Sequence, residues 1–302
     1  MVDAQLQKLL ICPRCHGELE FQDRRILCRD CGTRYPVEGR IPVMITEVSN
    51  DGFGHDLCHA QLNGNLFEKV FHTNRIETLL RLITSELDIA PGTRALDVGC
   101  NTGPLLIPLR QRGYDVVGID ISLDEVQKAE RYLHEHRLPR DKLSVADGTR
   151  LPFRDQSFDC MLLVDILEHT DHPERVVFEA KRLLVPGGVV IVTVPWASHP
   201  YVRHTWLRKA LSSRKTIDEY PDAPFKLRML QDLFLTDAAS GKPTFEPMLF
   251  RLVFHWVCIL GVYRLTRVGP AAARVTPETP LAETHSPQVP STPAPVKGSV
   301  SP

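Results

Sequence analysis

The chain has 302 residues, of which 43% are hydrophobic and 24% charged, the composition of a soluble globular protein long enough for two folded units. Its 36 basic and 37 acidic side chains nearly cancel, which argues against a dominant nucleic-acid-binding surface. No stretch reaches 18 uncharged apolar residues and no signal peptide is recognisable, so we expect neither an ordinary membrane span nor secretion.

Two CxxC pairs lie near the N-terminus, whereas the other four of the eight cysteines are scattered singly. A CxxC turn points two thiolates at one place, and two such turns complete the tetrahedral sulfur shell of structural Zn²⁺. We therefore predict that zinc is ligated by Cys12, Cys15, Cys28 and Cys31, with a short hairpin between the pairs. The alternative is four reduced cysteines without metal. The single cysteines favour a reducing, cytoplasmic location.

Gly17 and Gly32 follow the two pairs and are expected to supply the positive φ of a tight knuckle. The sequences LLICPRC, LCRDCGTRYPV and GRIPVM, within about residues 5–47, resemble the small zinc-ribbon activator subunit of tRNA, rRNA and release-factor methyltransferases. The resemblance implies that residues 1–48 form a non-catalytic module. In this chain it would dock on a catalytic domain in cis.

A linker over residues 49–65 precedes a long alternation of helical and strand patterns. Helices are predicted over 66–87, 104–110, 122–137 and 173–184, and strands over 94–99, 115–120, 143–146, 158–164 and 189–194. Continuous apolar strands alternating with helices predict an α/β domain over 66–268, with a Rossmann-like, doubly wound, mostly parallel sheet. Ligands of such sheets bind beyond the carboxyl ends of the strands.

The loop after the first of these strands reads Asp97-Val-Gly99-Cys-Asn101-Thr-Gly103. A dinucleotide site would carry glycine at the position of Asn101. An acid at Asp97 repels phosphates and suits a cationic ligand such as S-adenosylmethionine, whose carboxylate can lie over the N–H groups of the next helix.

Two further acids end the next two strands. Asp120 can accept both hydroxyls of a ribose, and Asp147, followed by Gly148, can accept from an adenine amino group. Three acids at three successive strand ends suit a ligand that combines an amine, a diol and an adenine.

The pieces LDVGCNTG, VGID, AD with LPF, FD, LEH and RLLVPGG resemble, in order and spacing, the class I S-adenosylmethionine-dependent methyltransferases that act on small molecules and lipids. The match spans about residues 66–195, and only Asn101 departs from the commoner glycine. It implies that the cofactor is bound by Asp97, Gly99, Asn101, Gly103, Asp120, Ile121, Asp147 and Gly148.

A general base is needed only if the methyl acceptor carries a proton of ordinary pKa. The candidates follow the fourth strand of the domain, and we name His169 and Asp165 as candidate catalytic residues. For His169 we favour the alternative of a structural histidine that precedes the next helix.

Residues 196–268 fit poorly the helix and antiparallel strand pair that this family usually adds. The aromatic and basic residues over 199–220 indicate a substrate pocket or a solvated loop. Residues 249–265 are largely apolar but charged in places, so we favour a buried helix or strand over a peripheral membrane helix. The proline-rich tail over 269–302 is expected to be disordered.

The sequence thus predicts an S-adenosylmethionine-dependent methyltransferase with structural zinc, acting on an unidentified small molecule, glycan or lipid precursor. One alternative is an rRNA or tRNA base methyltransferase that uses the zinc ribbon to recognise RNA. Another is a non-catalytic interaction protein. The near-zero net charge weighs against RNA, and the complete set of acids weighs against a dead enzyme.

Overall fold

The computed structural model describes residues 1–45, 66–87, 89–195, 245–253 and 258–265. The expected linker over 49–65, the aromatic and basic region over 199–220 and the tail over 269–302 lie outside the described residues. The domain boundaries drawn from the sequence stay a prediction.

The N-terminal module, residues 1–45, is a short helix followed by an antiparallel sheet of four strands in sequence order. The Asp3 carboxylate caps the helix by accepting from two backbone N–H groups. The hairpin expected between the cysteine pairs is confirmed as β1 and β2. The elements are α1 (Ala4–Leu9), β1 (Leu19–Phe21), β2 (Arg25–Cys28), β3 (Arg34–Glu38) and β4 (Ile41–Pro42).

The two knuckles of this module differ in the residue that carries positive φ. Gly32 does so at +72°, as predicted, but Gly17 does not, and His16 takes the conformation at +60° instead. Gly17 is required for space, because a Cβ there would lie 2.3 Å from Oδ2 of Asp30. The prediction that Gly17 supplies a positive φ was therefore wrong, and the close approach of Asp30 accounts for glycine at this position.

The remaining described residues form a seven-stranded sheet with helices on both faces. The predicted helix over 66–87 is confirmed, although its last turn, Leu82–Glu86, is π-helical. The helices are α2 (Leu66–Arg81), α3 (Leu106–Gln111), α4 (Leu123–Glu135) and α5 (Pro173–Leu183). The strands are β5 (Arg94–Val98), β6 (Asp115–Asp120), β7 (Leu143–Val145), β8 (Phe158–Val164), β9 (Leu184–Pro195), β10 (Phe245–Val253) and β11 (Cys258–Leu265).

The strand order is β10–β11–β9–β8–β5–β6–β7, with β5 to β9 parallel and β11 antiparallel to both its neighbours. The α/β class is thus confirmed. The direction of succession reverses at β5, because β6 lies on one side of it and β8 on the other. Such a switch point opens a crevice at the carboxyl end of the strand.

The antiparallel pair β10 and β11 corrects the expectation that this part of the chain fits the family poorly. The described residues of the apolar segment over 249–265 lie in these two strands, so of the alternatives considered the strand is found there. Val262 and Tyr263 are buried in the sheet. Among the described residues no helix is both long and apolar enough to cross a membrane.

The Pro186–Gly188 segment has a sequence typical of a turn, but the structure includes it in β9, which begins before the strand predicted over 189–194. The pairing with β8 passes from Phe158↔Leu184 to Cys160↔Val189, so the extra residues of β9 bulge out of the ladder. Gly187 has a φ of +81°, a conformation that glycine adopts readily and that explains its presence at this position of the bulge.

Two apolar layers cover the sheet. One layer packs α2, α3 and α4 against it, through residues such as Leu79, Leu106 and Leu133. In the other layer, side chains of the N-terminal module and of α5, such as Leu10 and Leu183, belong to one continuous cluster. The module therefore buries most of its apolar surface in the same layer as α5, whereas Ile41 and Val43 belong to the layer of α2, α3 and α4.

Backbone hydrogen bonds also join the module to this sheet. Ile11 N–H donates to the Pro152 carbonyl at 2.9 Å, and Met44 N–H donates to the Val145 carbonyl at 2.7 Å. Arg154 adds a bidentate ion pair with Glu18, at 2.6 and 2.7 Å. This pair is exposed and contributes little by itself.

Arg182 of α5 holds the loop over 151–155 in place through hydrogen bonds. The guanidinium donates to both oxygens of Glu179 and to the carbonyls of Leu151 and Phe153, and Glu179 in turn accepts from the Leu151 N–H. Both side chains are buried, so each depends on the other for a partner.

We expect Arg182→Met to destabilise the protein by about 3–5 kcal/mol, because it leaves the Glu179 carboxylate buried without its cation. Arg175→Met, on the same helix, is the control and should change the free energy of unfolding by less than about 0.5 kcal/mol. Urea unfolding monitored by circular dichroism measures both. Equal losses in the two variants would show that the buried pair is not what holds the loop.

Candidate functional site

The acids predicted for the cofactor lie side by side at the carboxyl edge of the sheet. Asp97 is the second-last residue of β5, and Asp120 is the last residue of β6. Asp147 is the second residue after β7. These three strands are direct neighbours. The structure therefore brings together the three side chains that the sequence placed in one site.

The loop after β5 contains three residues with positive φ. Gly99, Asn101 and Gly103 have φ values of +74°, +50° and +89°. Asparagine tolerates this conformation better than most side chains, which accounts for the departure from glycine. The Asn101 side chain also accepts a hydrogen bond from Thr102 N–H at 2.7 Å.

The Asp120 carboxylate ties this loop to β6. One oxygen accepts from the Asn101 N–H at 3.0 Å and the other from the Ser122 N–H at 2.9 Å. A carboxylate has about four lone-pair positions, so Asp120 can still accept from ligand hydroxyls.

Glycine is required in two places by the close approach of neighbouring loops. A Cβ at Gly99 would lie 2.6 Å from Cδ1 of Ile166, and one at Gly148 would lie 3.2 Å from Cγ1 of Val98. The loop after β8 therefore reaches the loop after β5, and the loop after β7 reaches the end of β5 itself.

Uncompensated negative charge characterises the site. Burial, with the nearby Asp120, raises the pKa of Asp97 to about 7. Burial also raises the pKa of Asp120, against the hydrogen bonds from Ser122 and Asn101. A bound cation would relieve both costs, so the electrostatics favour a positively charged ligand.

The adenine side of the predicted site contains Asp147 and Ile121. One Asp147 oxygen accepts from both the N–H and the hydroxyl of Thr149, at 2.8 Å each. Ile121 is 45% exposed, unusual for a large apolar side chain, and offers a hydrophobic surface next to Asp120.

The candidate catalytic residues have different surroundings. Asp165 is enclosed: one oxygen lies 2.5 Å from Nη1 of Arg75, and the other accepts from the Thr193 hydroxyl at 2.5 Å. His169 ends a short 3₁₀ turn, with Nε2 3.9 Å from the buried carboxylate of Glu168. The assignment of either as a base stays a prediction.

Sequence reasoning missed Arg75, although a signal for it exists. Arg75 lies four and seven residues before Leu79 and Leu82, both fully buried, so all three fall on one face of the helix. A charged residue on the apolar face of a helix requires a partner inside the protein.

The predicted metal ligands converge. The sulfurs of Cys12, Cys15, Cys28 and Cys31 all lie within 4.8 Å of one another. Two of the sulfur–sulfur distances are 3.7 and 3.5 Å. A tetrahedral zinc site with Zn–S bonds of about 2.3 Å has sulfurs about 3.8 Å apart, so the cluster fits this ion.

Polar groups surround the sulfurs as expected for thiolates. The Tyr35 hydroxyl lies 3.1 Å from the Cys12 sulfur, and the Thr33 hydroxyl lies 3.1 Å from the Cys31 sulfur. Such second contacts orient metal ligands. Burial raises the pKa of the thiols of Cys12 and Cys15, as it does for Cys100 and Cys160, which lie outside the cluster in the core.

Comparison with known proteins agrees with this geometry. A family model described as "Methyltransferase domain" matches residues 96–192, from β5 to β9. Demethylmenaquinone methyltransferase of Renibacterium salmoninarum is 34% identical over 120 residues, which are 40% of this chain and 48% of the relative. The chain thus spans about half the length of that protein.

An uncharacterized protein of Methanocaldococcus jannaschii is 30% identical over 184 residues, 59% of this chain and 78% of the relative. Magnesium protoporphyrin IX methyltransferase of Synechocystis, solved with S-adenosylhomocysteine, superposes with a TM-score of 0.52 at 17% identity. That likeness covers 67% of this chain and 88% of the other, and it shows the fold. With the family model and these relatives, it follows that the chain belongs to the class I S-adenosylmethionine-dependent methyltransferases.

Proposed function

We propose that this protein transfers a methyl group from S-adenosylmethionine to a small molecule with a largely apolar skeleton, such as a quinone or lipid precursor. The observation that carries the proposal is the row of Asp97, Asp120 and Asp147 at three adjacent strand ends, beside a loop with positive φ at Gly99. A dinucleotide-binding loop would carry glycine at the position of Asn101, and the acid at Asp97 would repel the phosphates of such a ligand.

Each of these residues has a definite part in binding. Asp120 accepts from the ribose hydroxyls, Asp97 faces the cationic methionine end, and Asp147 accepts from the adenine amino group. Ile121 offers the adenine ring an apolar surface. When bound, the cofactor supplies an electrophilic methyl group, and the protein's part in the transfer is mostly alignment and exclusion of water.

The acceptor class is supported by the demethylmenaquinone methyltransferase relative, whose name specifies a quinone. The direct test is incubation of the protein with tritium-labelled S-adenosylmethionine and either a total lipid extract or total RNA. We expect label in the organic phase and none in RNA. Label in RNase-sensitive material would instead favour the RNA methyltransferase alternative, to which the cysteine cluster lends its support.

Asp120→Ala is expected to weaken S-adenosylmethionine binding at least about tenfold, because two charge-assisted hydrogen bonds of about 1.5–3 kcal/mol each are lost. Calorimetric titration measures the change. Asp124→Ala removes the same charge from the exposed first turn of α4 and should bind as the unaltered protein does. Equal affinity in both variants would refute the ribose assignment.

Asp97→Asn should change the stability of the protein and its affinity for the cofactor in opposite directions. The folded-state pKa of Asp97, about 7, lies above its ordinary value of 3.8, so its favourable contribution is lost as the pH rises from about 4 to about 7. The variant should therefore melt at a higher temperature than the unaltered, cofactor-free protein near pH 8, yet bind S-adenosylmethionine more weakly.

Differential scanning fluorimetry and calorimetry between about pH 5 and 8 test this expectation. Affinity in the unaltered protein should fall below about pH 7, by at most tenfold per pH unit, because binding must then expel the Asp97 proton. A variant that melts lower at every pH would contradict the electrostatic interpretation.

The cysteine cluster is proposed to hold one structural Zn²⁺, and the module that carries it is proposed to dock on the methyltransferase domain in cis. The backbone hydrogen bonds from Ile11 to Pro152 and from Met44 to Val145 support the docking. The two acceptor residues lie on either side of the Asp147 loop in sequence. A module of fewer than 50 residues has too small a core to fold without a staple.

Cys12→Ser should lose the metal and lower the melting temperature of the whole chain, by about 2–4 °C for each kcal/mol of lost stabilisation. Elemental analysis and calorimetry measure the two effects. Cys160→Ser, which alters a buried cysteine of β8 outside the cluster, should keep its zinc. Much less than one zinc per chain in the unaltered protein would refute the metal site.

A further inference from the structure

The carboxyl ends of β8 and β9 are the part of the sheet edge that the cofactor acids leave open. The acids belong to β5, β6 and β7, whereas β8 lies on the opposite side of β5. Ile166, two residues beyond β8, borders Gly99 of the cofactor loop. A methyl acceptor approaching the methionine end of the cofactor would therefore meet the segment that follows β8.

A nearly buried ion pair occupies this segment. Nη1 of Arg75, on α2, lies 2.5 Å from Oδ2 of Asp165, and the two side chains are only 13% and 9% exposed. Thr193 of β9 holds Asp165 twice, since its hydroxyl donates to Oδ1 and its carbonyl accepts from the Asp165 N–H.

Asp165 also has an unusual backbone conformation. Its φ is +51°, in the left-handed region that few non-glycine residues occupy. Backbone strain of this kind persists where surrounding contacts enforce it, and it concentrates at functional sites. The carboxylate of Asp165 is therefore fixed in position and can orient Arg75.

The guanidinium of Arg75 retains an unused donor. Its Nε is buried and has no hydrogen-bond partner within the described part of the chain. A buried, unsatisfied N–H costs about 1–3 kcal/mol. Such a group in a native structure needs a partner, and a bound ligand can supply one.

We infer that Arg75 binds an anionic oxygen of the methyl acceptor, a carboxylate or a phenolate, through the Nε edge of its guanidinium. The inference rests on the proposed function and specifies its substrate class. A planar guanidinium suits this role because it can bind one oxyanion along one edge while Nη1 keeps its ion pair. Asp165 keeps Arg75 neutralised before the acceptor binds, and its carboxylate then competes with the acceptor for the charge of Arg75.

The experiment uses the full chain saturated with S-adenosylhomocysteine and titrated with 4-hydroxybenzoate. The neutral 4-hydroxybenzamide has the same shape without the charge and serves as the control probe. Asp165→Asn is compared with the double variant Arg75→Met/Asp165→Asn, so that no carboxylate is left buried alone. Asparagine suits the positive φ at this position, and Arg81→Met is the matched control on α2.

We expect Asp165→Asn to bind 4-hydroxybenzoate about tenfold more tightly than the unaltered protein, because the competing carboxylate is gone. The double variant should lose this gain. The Arg81→Met control should behave as the unaltered protein does, and the amide should not distinguish the variants.

Equal benzoate affinity in Asp165→Asn and the double variant would overturn the inference, as would absence of benzoate binding to Asp165→Asn. Weaker S-adenosylhomocysteine binding in the double variant would also overturn it, since Arg75 would then serve the carboxylate of the cofactor. Failure of the unaltered protein to bind S-adenosylhomocysteine would overturn the proposed function itself, and with it this inference.

Discussion

The hydrogen bond from the Asn101 N–H to the Asp120 carboxylate fixes the geometry on which the cofactor site depends. It joins the loop after β5 to the end of β6, the two strands at the switch point of the sheet. The loop can make this bond only because Gly99 and Asn101 accept positive φ. The bond therefore holds the loop after β5 and the end of β6 in register, which are the two sides of the proposed cofactor site.

The same arrangement makes the site electrostatically costly. Asp97 is buried beside Asp120, and burial raises the pKa of both carboxyl groups. A protein selected for stability alone would place apolar residues here. In the proposed function these acids bind a cationic ligand, and the surrounding fold has to offset the cost of their burial.

Part of that offset comes from the N-terminal module. Met44 bonds to Val145 just before the Asp147 loop, and Ile11 bonds to Pro152 just after it. At Leu151, next to the contact with Pro152, two side chains of α5, Arg182 and Glu179, hydrogen-bond to the backbone. The loop on the adenine side is thus held by two different parts of the chain.

Strands with strong local signals were predictable from the sequence. The bounds of β6 were correct because its buried run ends at Asp120, and a serine cap starts the following helix. The three acids were found because each ends a strand. In these places local pattern and tertiary structure agree.

Features that depend on pairing with distant residues were not predictable. Pro186–Gly188 reads as a turn by itself, and only its pairing with β8 makes it a bulge. For the segment that contains the antiparallel pair β10 and β11, the sequence left the choice between a buried helix and a strand open, because charges such as Arg264 interrupt its apolar pattern. The role of Arg75 emerges only when α2 is placed against the end of β8.

The most direct test of this account is a crystal structure of the protein with S-adenosylhomocysteine. We expect the ribose hydroxyls within hydrogen-bond distance of the Asp120 carboxylate, the adenine next to Ile121 and Asp147, and the amino acid end over Gly99. A ligand bound elsewhere, or with its ribose away from Asp120, would contradict the assignment of the site.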